Sequence, residues 1–303
     1  MRSLIRFIFF GNYFIGLLAV ALSVEAVAQL HLPLNSVFYY LLVFSATVMY
    51  YNFAYVNASR SYASGNPRSA WYGRHHRFVQ VSQTVFFAIA AGLSAYFAVK
   101  NFYRILHLPL YYWLGVALML LSAIGYYGLL PKKFISVNLR SHGFIKPFVI
   151  GLVWACCVTL LPVIMLRVES DVKHVNLILL LWLMLKNWMF CTVNAILFDM
   201  KDYADDANRQ LKTFVVRFGL RRTIFYILLP LSLVGILAGL SFTEYMHFPL
   251  WAVLVNLIPF LLLLLITWSM HRKHQILYYL VIIDGLLLVK AVCGIISASF
   301  ILE

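Results

Sequence analysis

Residues 199–219 read DMKDYADDANRQLKTFVVRFG, and this run holds four of the ten carboxylates in the whole chain. It follows directly on an apolar segment long enough to form a helix. At about 100° per residue, Asp199, Asp202 and Asp206 fall on one face of a helix that continues that segment, whereas Asp205 points elsewhere. The run therefore predicts three carboxylates gathered at the end of a long apolar helix.

The rest of the chain is strongly apolar. Of 303 residues, 63% are hydrophobic and 11% are charged, with a mean hydropathy of +0.88. This composition excludes a water-soluble globule with a polar surface, and it excludes a disordered chain. A membrane-spanning helix needs about 20 apolar residues, and nine stretches qualify. They are roughly 5–28, 37–56, 79–99, 111–130, 144–166, 175–198, 223–242, 248–270 and 276–300. We therefore predict an all-α bundle of nine transmembrane helices that forms a single domain over residues 1–303.

The basic residues indicate how this bundle is oriented. If the nine spans alternate, 18 of the 24 Lys and Arg residues fall on the side of the amino terminus, and only Lys100, Arg104, Arg167 and Lys173 fall on the other. The positive-inside rule then predicts a multi-pass protein of the cytoplasmic membrane, with its amino terminus in the cytoplasm and its carboxyl terminus outside. The net charge of +14 does not indicate a nucleic-acid partner, because the basic residues lie in short loops between apolar runs.

The carboxylates at 199, 202 and 206 would repel one another unless a cation compensates them. Hard oxygen ligands of this kind suit Mg²⁺ carrying a substrate phosphate. The simpler interpretation is a solvated helix end that Lys201, Arg209 and Lys212 partly neutralise. We favour the metal site, since a membrane protein this poor in acid has little reason to place three carboxylates on one face.

The run 199–219 resembles the second aspartate-rich motif of the UbiA superfamily of intramembrane prenyltransferases. That motif usually reads Asn-Asp-x-x-Asp-x-x-x-Asp, followed by Lys or Arg with Thr and an apolar segment ending in Gly. Asp199, Asp202 and Asp206 match its spacing, and so do Lys212-Thr213 and the closing Arg217-Phe218-Gly219, whereas Gln210 stands where Gly is common. The resemblance implies the UbiA-like fold, a prenyl diphosphate and an aromatic or lipid acceptor as substrates, and Mg²⁺ as cofactor.

On this resemblance the catalytic and metal-binding residues are the three matching aspartates. We predict that substrate binding falls to the polar and basic residues that the topology places toward the same side of the membrane. They are Asn52, Arg60, Arg68, Tyr126, Lys132, Lys133, Lys146, Asn194, Lys201 and Lys212. Asn194 has two interpretations, as an interhelical hydrogen bond or as polar lining of the acceptor cavity.

The first aspartate motif of the family, Asn-x-x-x-Asp-x-x-x-Asp, is degenerate in this chain. Only Asn52 fits, while Val56 and Arg60 stand at the two aspartate positions, and no carboxylate occurs between Glu25 and Glu169. A guanidinium at position 60 repels a divalent ion. One consequence is an enzyme with a single Mg²⁺ site, in which arginines supply the remaining positive charge. The alternative is a non-catalytic membrane protein that binds an isoprenoid or its diphosphate.

Ion or solute transport is a further class of function, and it finds weak support in the sequence. Lys186, Asp284 and Lys290 are ionisable residues inside predicted spans, and such residues are functional candidates by default. Asp284 and Lys290 stand six residues apart and are poorly placed to pair along one helix. We therefore predict that each pairs with another span.

Overall fold

The computed structural model describes residues 2–58, 67–127, 143–172, 175–201, 203, 211–270 and 276–299. Over these ranges the regular structure is entirely helical. The helices are α1 (Arg2–Phe10), α2 (Tyr13–Gln29), α3 (Val37–Ala58), α4 (Pro67–Arg74), α5 (His76–Lys100), α6 (Phe102–Leu106), α7 (Leu110–Tyr127), α8 (Lys146–Ala155), α9 (Leu161–Ser170), α10 (Leu177–Lys201), α11 (Phe214–Phe218), α12 (Leu220–Thr223), α13 (Leu229–Tyr245), α14 (Leu250–Ser269) and α15 (Ile276–Ser299). Single π-helical turns, Cys156–Leu160 and Ile224–Leu228, join α8 to α9 and α12 to α13.

Within the described ranges, six helical segments are long and apolar enough to cross a membrane. They are His76–Lys100, Lys146–Ser170, Leu177–Lys201, Leu220–Tyr245, Leu250–Ser269 and Leu277–Ser299. The bent pair α1 and α2 becomes a seventh if its two helices, inclined at 64°, form one span. Two further apolar helices, Val37–Phe53 and Leu110–Tyr126, are shorter within the described ranges. The all-helical membrane architecture is confirmed, while the count of nine spans stays a prediction.

Helix α10 is the best-buried span and packs against α8, α13 and α15. On one side α8 comes close because Gly151 lies against Thr192, where a Cβ atom would overlap both the side chain and the backbone. Small residues at such contacts strengthen helix packing in lipid, where no hydrophobic effect drives one helix onto another. The α8–α10 contact fixes the relative positions of the residues that these two helices carry.

We call the end of the bundle where α8 begins and α10 finishes the motif end. There a turn at Gly143 lies directly against the backbone of Lys212 and Thr213, a contact that any side chain at position 143 would block. Thr213 caps α11 by accepting a hydrogen bond from the Val216 N–H at 3.4 Å. The segment that follows the predicted motif is thereby held against the turn that precedes α8.

The break between α1 and α2 occurs at Gly11 and Asn12. Asn12 adopts a left-handed backbone conformation with φ of 62°, which asparagine tolerates better than most residues. At this break the chain turns by 64°. The side chain of Asn12 is thereby directed toward α3 and α4, where it forms the contacts described below.

Candidate functional site

Asp199 is buried at the motif end, in the last turn of α10, with 3% of its surface exposed. Lys146, at the first position of α8, donates from Nζ to Asp199 Oδ1 at 2.5 Å. The lysine side chain is 20% exposed, whereas the aspartate side chain is 4% exposed. The first aspartate of the motif therefore faces a cation inside the protein and not bulk water.

Several predicted site residues lie outside the described part of the chain. They are Asp202, Asp206, Arg60, Lys132 and Lys133, and the side chain of Val56 is likewise not described. The convergence of the three aspartates, and the role of Arg60 in substrate binding, stay predictions.

The remaining candidate residues lie on α10, beyond its end and on α7, and they have different surroundings. Asn187, seven residues before Asn194 on the same helix, donates to Thr159 Oγ1 at 2.7 Å. Asn194 is buried, and its amide oxygen accepts no hydrogen bond from the described residues. The Lys201 Nζ lies 5.8 Å from the centre of the Phe198 ring, in cation–π range. Lys212 is exposed beyond α10, and Tyr126 is half-buried at the end of α7.

Asn52, the residue that remains of the first motif, is a hub of buried polar contacts. Its Oδ1 accepts from Asn12 Nδ2 at 2.8 Å and lies 2.6 Å from the Tyr72 hydroxyl. That hydroxyl also lies 2.8 Å from the carbonyl of Phe10, so its hydrogen can be donated to either oxygen. Asn52 thus ties α3 to α4 and to the α1–α2 break.

Arg68 belongs to the same network. Its Nη2 donates to Asn12 Oδ1 and to the Phe10 carbonyl, the latter at 3.3 Å. Its guanidinium lies 4.5 Å from the centre of the Tyr55 ring, which stacks on Tyr72 at 4.7 Å. Burial raises the pKa of Tyr72 above its usual value although the guanidinium opposes the shift, so the hydroxyl stays protonated as a donor. These contacts give Arg68 a role in joining helices, which the sequence did not reveal.

The structure adds one carboxylate that the predicted site lacked. Asp284 lies on α15, and 5% of its surface is exposed. The charges of Arg68 and Lys201 act on it, so it belongs to the same region as the candidate residues of α4 and α10. The signal in the sequence was an ionisable residue inside an apolar helix.

The two intramembrane lysines belong elsewhere. Lys290 donates to Glu25 Oε2 at 2.5 Å, and Lys186 lies 3.4 Å from Glu25 Oε1 and 2.7 Å from Gln29 Oε1. Since Glu25 and Gln29 lie on α2, Lys186 on α10 and Lys290 on α15, the cluster joins three helices. The prediction that Lys290 pairs with another span is confirmed.

Comparison with protein families gives one match. The model of the UbiA prenyltransferase family matches residues 76–281, just over two-thirds of the chain. The matched region includes α8, α10 and the run 199–219, and it excludes α3 with its degenerate first motif. No curated protein and no solved structure matched the chain. The chain therefore belongs to the UbiA prenyltransferase family and is an integral membrane protein of the prenyltransferase type.

Proposed function

We propose that the protein transfers a prenyl group from a prenyl diphosphate to an aromatic or lipid acceptor in the cytoplasmic membrane. The observation that carries this proposal is the buried Asp199 at the motif end, held against Lys146. Burying a carboxylate and an ammonium group costs desolvation free energy that their attraction does not always offset. A buried pair of this kind therefore favours a role in function over a role in stability. Family membership supplies the reaction class, and this pair supplies the place where the diphosphate would bind.

The chemistry of Asp199 fits Mg²⁺. Its carboxylate offers hard oxygen donors, and the Lys146 ammonium at 2.5 Å shows that a cation is accommodated beside it. With Asp202 and Asp206 at the spacing of the family motif, these three residues would hold the ion. When bound, Mg²⁺ neutralises the diphosphate and thereby eases the departure of pyrophosphate.

The basic residues around Asp199 would bind the diphosphate itself. Lys146 is partly exposed and Lys201 lies two residues beyond Asp199, so both can donate charge-assisted hydrogen bonds to phosphate oxygens. Lys212 and Arg60 are further candidates on the same side of the predicted topology. Cations at this position stabilise the leaving group and not the prenyl chain, whose place is the apolar interior.

Aromatic side chains would shelter the allylic cation. Trp154 on α8 donates from Nε1 to the Tyr51 hydroxyl on α3 at 2.7 Å, and their ring centres lie 6.2 Å apart. Phe198 packs against the same core one residue before Asp199. Ring faces carry negative potential and attract cations without bonding to them. These residues would therefore stabilise the carbocation and exclude water until the acceptor attacks.

A non-catalytic protein that binds a prenyl diphosphate is the second candidate. The observation that favours it is the first motif, where Val56 and Arg60 replace carboxylates and Asn52 bonds to Asn12 and Tyr72. If the first motif has lost a metal, changing Val56 and Arg60 together to Asp should create Mg²⁺-dependent pyrophosphate release that the parent lacks.

Pyrophosphate release from geranyl, farnesyl and geranylgeranyl diphosphates tests the proposal, with and without Mg²⁺ and acceptors. We expect Mg²⁺-dependent release by the parent protein and its loss in Asp199→Asn. Glu244→Gln is the matched control, because Glu244 is an exposed carboxylate at the other end of the bundle. Tight diphosphate binding without release, together with a gain of release in the double aspartate variant, would establish the binding protein instead.

A further inference from the structure

Asp284 is a buried carboxylate that the proposed diphosphate chemistry does not use. It lies within α15, and its only strong interactions with described residues act through space. Neither a hydrogen bond nor an ion pair within 4 Å reaches it from any residue that the structure describes. With 5% of its surface exposed, the Asp284 side chain is therefore buried without a hydrogen-bond partner among the described residues.

Groups on three other helices lie close enough to Asp284 for charge to act between them. The charges of Arg68 on α4 and Lys201 on α10 act on its carboxylate, and its own charge acts on Tyr51 on α3. Neither cation approaches within 4 Å. An isolated carboxylate in an apolar bundle is costly unless something donates hydrogen bonds to it. The surroundings of Asp284 are thus suited to a polar group that donates a hydrogen bond to its carboxylate.

The depth of Asp284 places it beyond the diphosphate. Lys186 and Lys290 contact the same glutamate, which sets α10 and α15 side by side at that level. Asp199 lies 13 residues from Lys186, about 20 Å along α10, and Asp284 lies 6 residues from Lys290, about 9 Å along α15. Measured along the helices, Asp284 lies roughly 10 Å deeper than Asp199. A group bound at Asp284 would meet the prenyl chain on the side away from the pyrophosphate.

We propose that Asp284 binds the hydroxyl group of the acceptor and receives its proton during prenyl transfer. This inference rests on the proposed function and names the acceptor class, a neutral molecule with a free hydroxyl. A carboxylate-bearing group is disfavoured at this position, because two negative charges in a buried site repel each other. Asp284 would therefore contribute to acceptor specificity as well as to catalysis.

The step balances without any further reactant. The allylic carbon–oxygen bond breaks, and its electron pair leaves with the diphosphate. The hydroxyl oxygen of the acceptor forms the new bond to the allylic carbon. The hydroxyl proton passes to the Asp284 carboxylate, which later releases it to water. Because the hydroxyl must donate its proton to Asp284, methylation of the acceptor oxygen abolishes both the hydrogen bond and the reaction.

Acceptor binding tests the inference without requiring turnover. The probes are 1-naphthol and 1-hexadecanol, each against its methyl ether, so that the two arms distinguish an aromatic from a lipid acceptor. In one arm at least, we expect the parent to bind the alcohol about 10-fold or more tightly than the ether, the scale of a charged hydrogen bond. Asp284→Asn should remove that preference, whereas Glu244→Gln should keep it. Equal binding of alcohol and ether by the parent in both arms, or an unchanged preference in Asp284→Asn, would overturn the proposal.

Turnover separates this inference from the proposed function. Farnesyl diphosphate should bind Asp284→Asn at least as tightly as the parent, because a negative charge near Arg68 and Lys201 has been removed. Prenyl transfer should fall by about 100-fold or more, the scale of a lost general base. If the parent neither binds nor consumes farnesyl diphosphate, the proposed function fails, and the alcohol preference alone decides the role of Asp284. Full transfer activity in Asp284→Asn refutes that role while leaving the proposed function intact.

Chemical labelling covers the case in which Asp284→Asn does not fold. Dicyclohexylcarbodiimide, an apolar reagent, modifies carboxyl groups that lie in apolar surroundings. We expect it to label Asp284 of the parent protein, and 1-naphthol or 1-hexadecanol, but not the ether, to protect that residue. Peptide mass mapping reads the result. An unlabelled Asp284, or equal protection by alcohol and ether, counts against the proposed hydroxyl site.

Discussion

Glu25→Gln is the substitution whose effect on stability the structure defines most sharply. Glu25 is fully buried and lies 2.5 Å from Lys290 Nζ and 3.4 Å from Lys186 Nζ. The substitution keeps the shape of the side chain and removes its charge. Two lysines would then remain buried in the bundle without a counter-charge.

The magnitude follows from the two distances. At an effective dielectric constant of about 20, the attractions come to about 7 and about 5 kcal/mol before the cost of desolvation. The glutamine can still accept one hydrogen bond and Gln29 still accepts one from Lys186, so the net cost is smaller. We expect a loss of about 3 to 5 kcal/mol in unfolding free energy, the usual result of removing one partner of a buried ion pair.

Equilibrium unfolding in mixed micelles, followed by tryptophan fluorescence, measures this loss. Glu244→Gln serves as the exposed control and should change stability by less than about 0.5 kcal/mol. The double variant Glu25→Gln with Lys290→Met should lose less unfolding free energy than the two single variants lose together, because one of the two unpaired lysine charges has been removed. A loss below about 1 kcal/mol for Glu25→Gln would refute the idea that Glu25 holds both lysines.

Three further predictions concern the site and its supports. Arg60→Ala should weaken farnesyl diphosphate binding by about 1.5 to 3 kcal/mol if Arg60 contacts the diphosphate, as equilibrium binding would show, and unchanged affinity would remove Arg60 from the site. Arg68→Ala should lower the unfolding free energy by about 1.5 to 3 kcal/mol, because Arg68 bonds to Asn12 and the Phe10 carbonyl; unaltered stability would contradict its structural role. Gly151→Leu should separate α8 from α10 and abolish prenyl transfer, with Gly92→Leu as control, since a Cβ at Gly92 meets nothing within 4 Å; retained transfer would show that this close contact is not required.

The sequence predicted the general architecture well because lipid leaves the chain few alternatives. Backbone N–H and C=O groups in hydrocarbon must form hydrogen bonds within their own membrane-spanning segment, so long apolar stretches become helices. The same rule does not say where a helix bends. The break at Gly11 and Asn12 depends on a left-handed residue whose side chain reaches Asn52 and Arg68, and that requires contacts between residues 40 and 56 positions apart.

The site was predictable only where its residues are adjacent in the sequence. Asp199 stood out because the aspartates follow one another at helical spacing. Lys146 was a candidate on topology alone, and its ion pair with Asp199 depends on how closely α8 packs against α10. Asp284 was noted as an intramembrane charge, but its neighbours Arg68 and Lys201 come from helices distant in the sequence. Spacing along a chain cannot show which faces of distant helices meet.

The ion cluster and the candidate site are linked through the axial register of two helices. Lys186 and Lys290 both contact Glu25, so neither α10 nor α15 can slide along its axis without breaking a buried ion pair. A slide of one turn, about 5.4 Å, would move Asp199 or Asp284 by the same distance. Buried polar groups are best attested in this role of fixing register. The cluster therefore holds the two site carboxylates at set depths, although it touches neither of them.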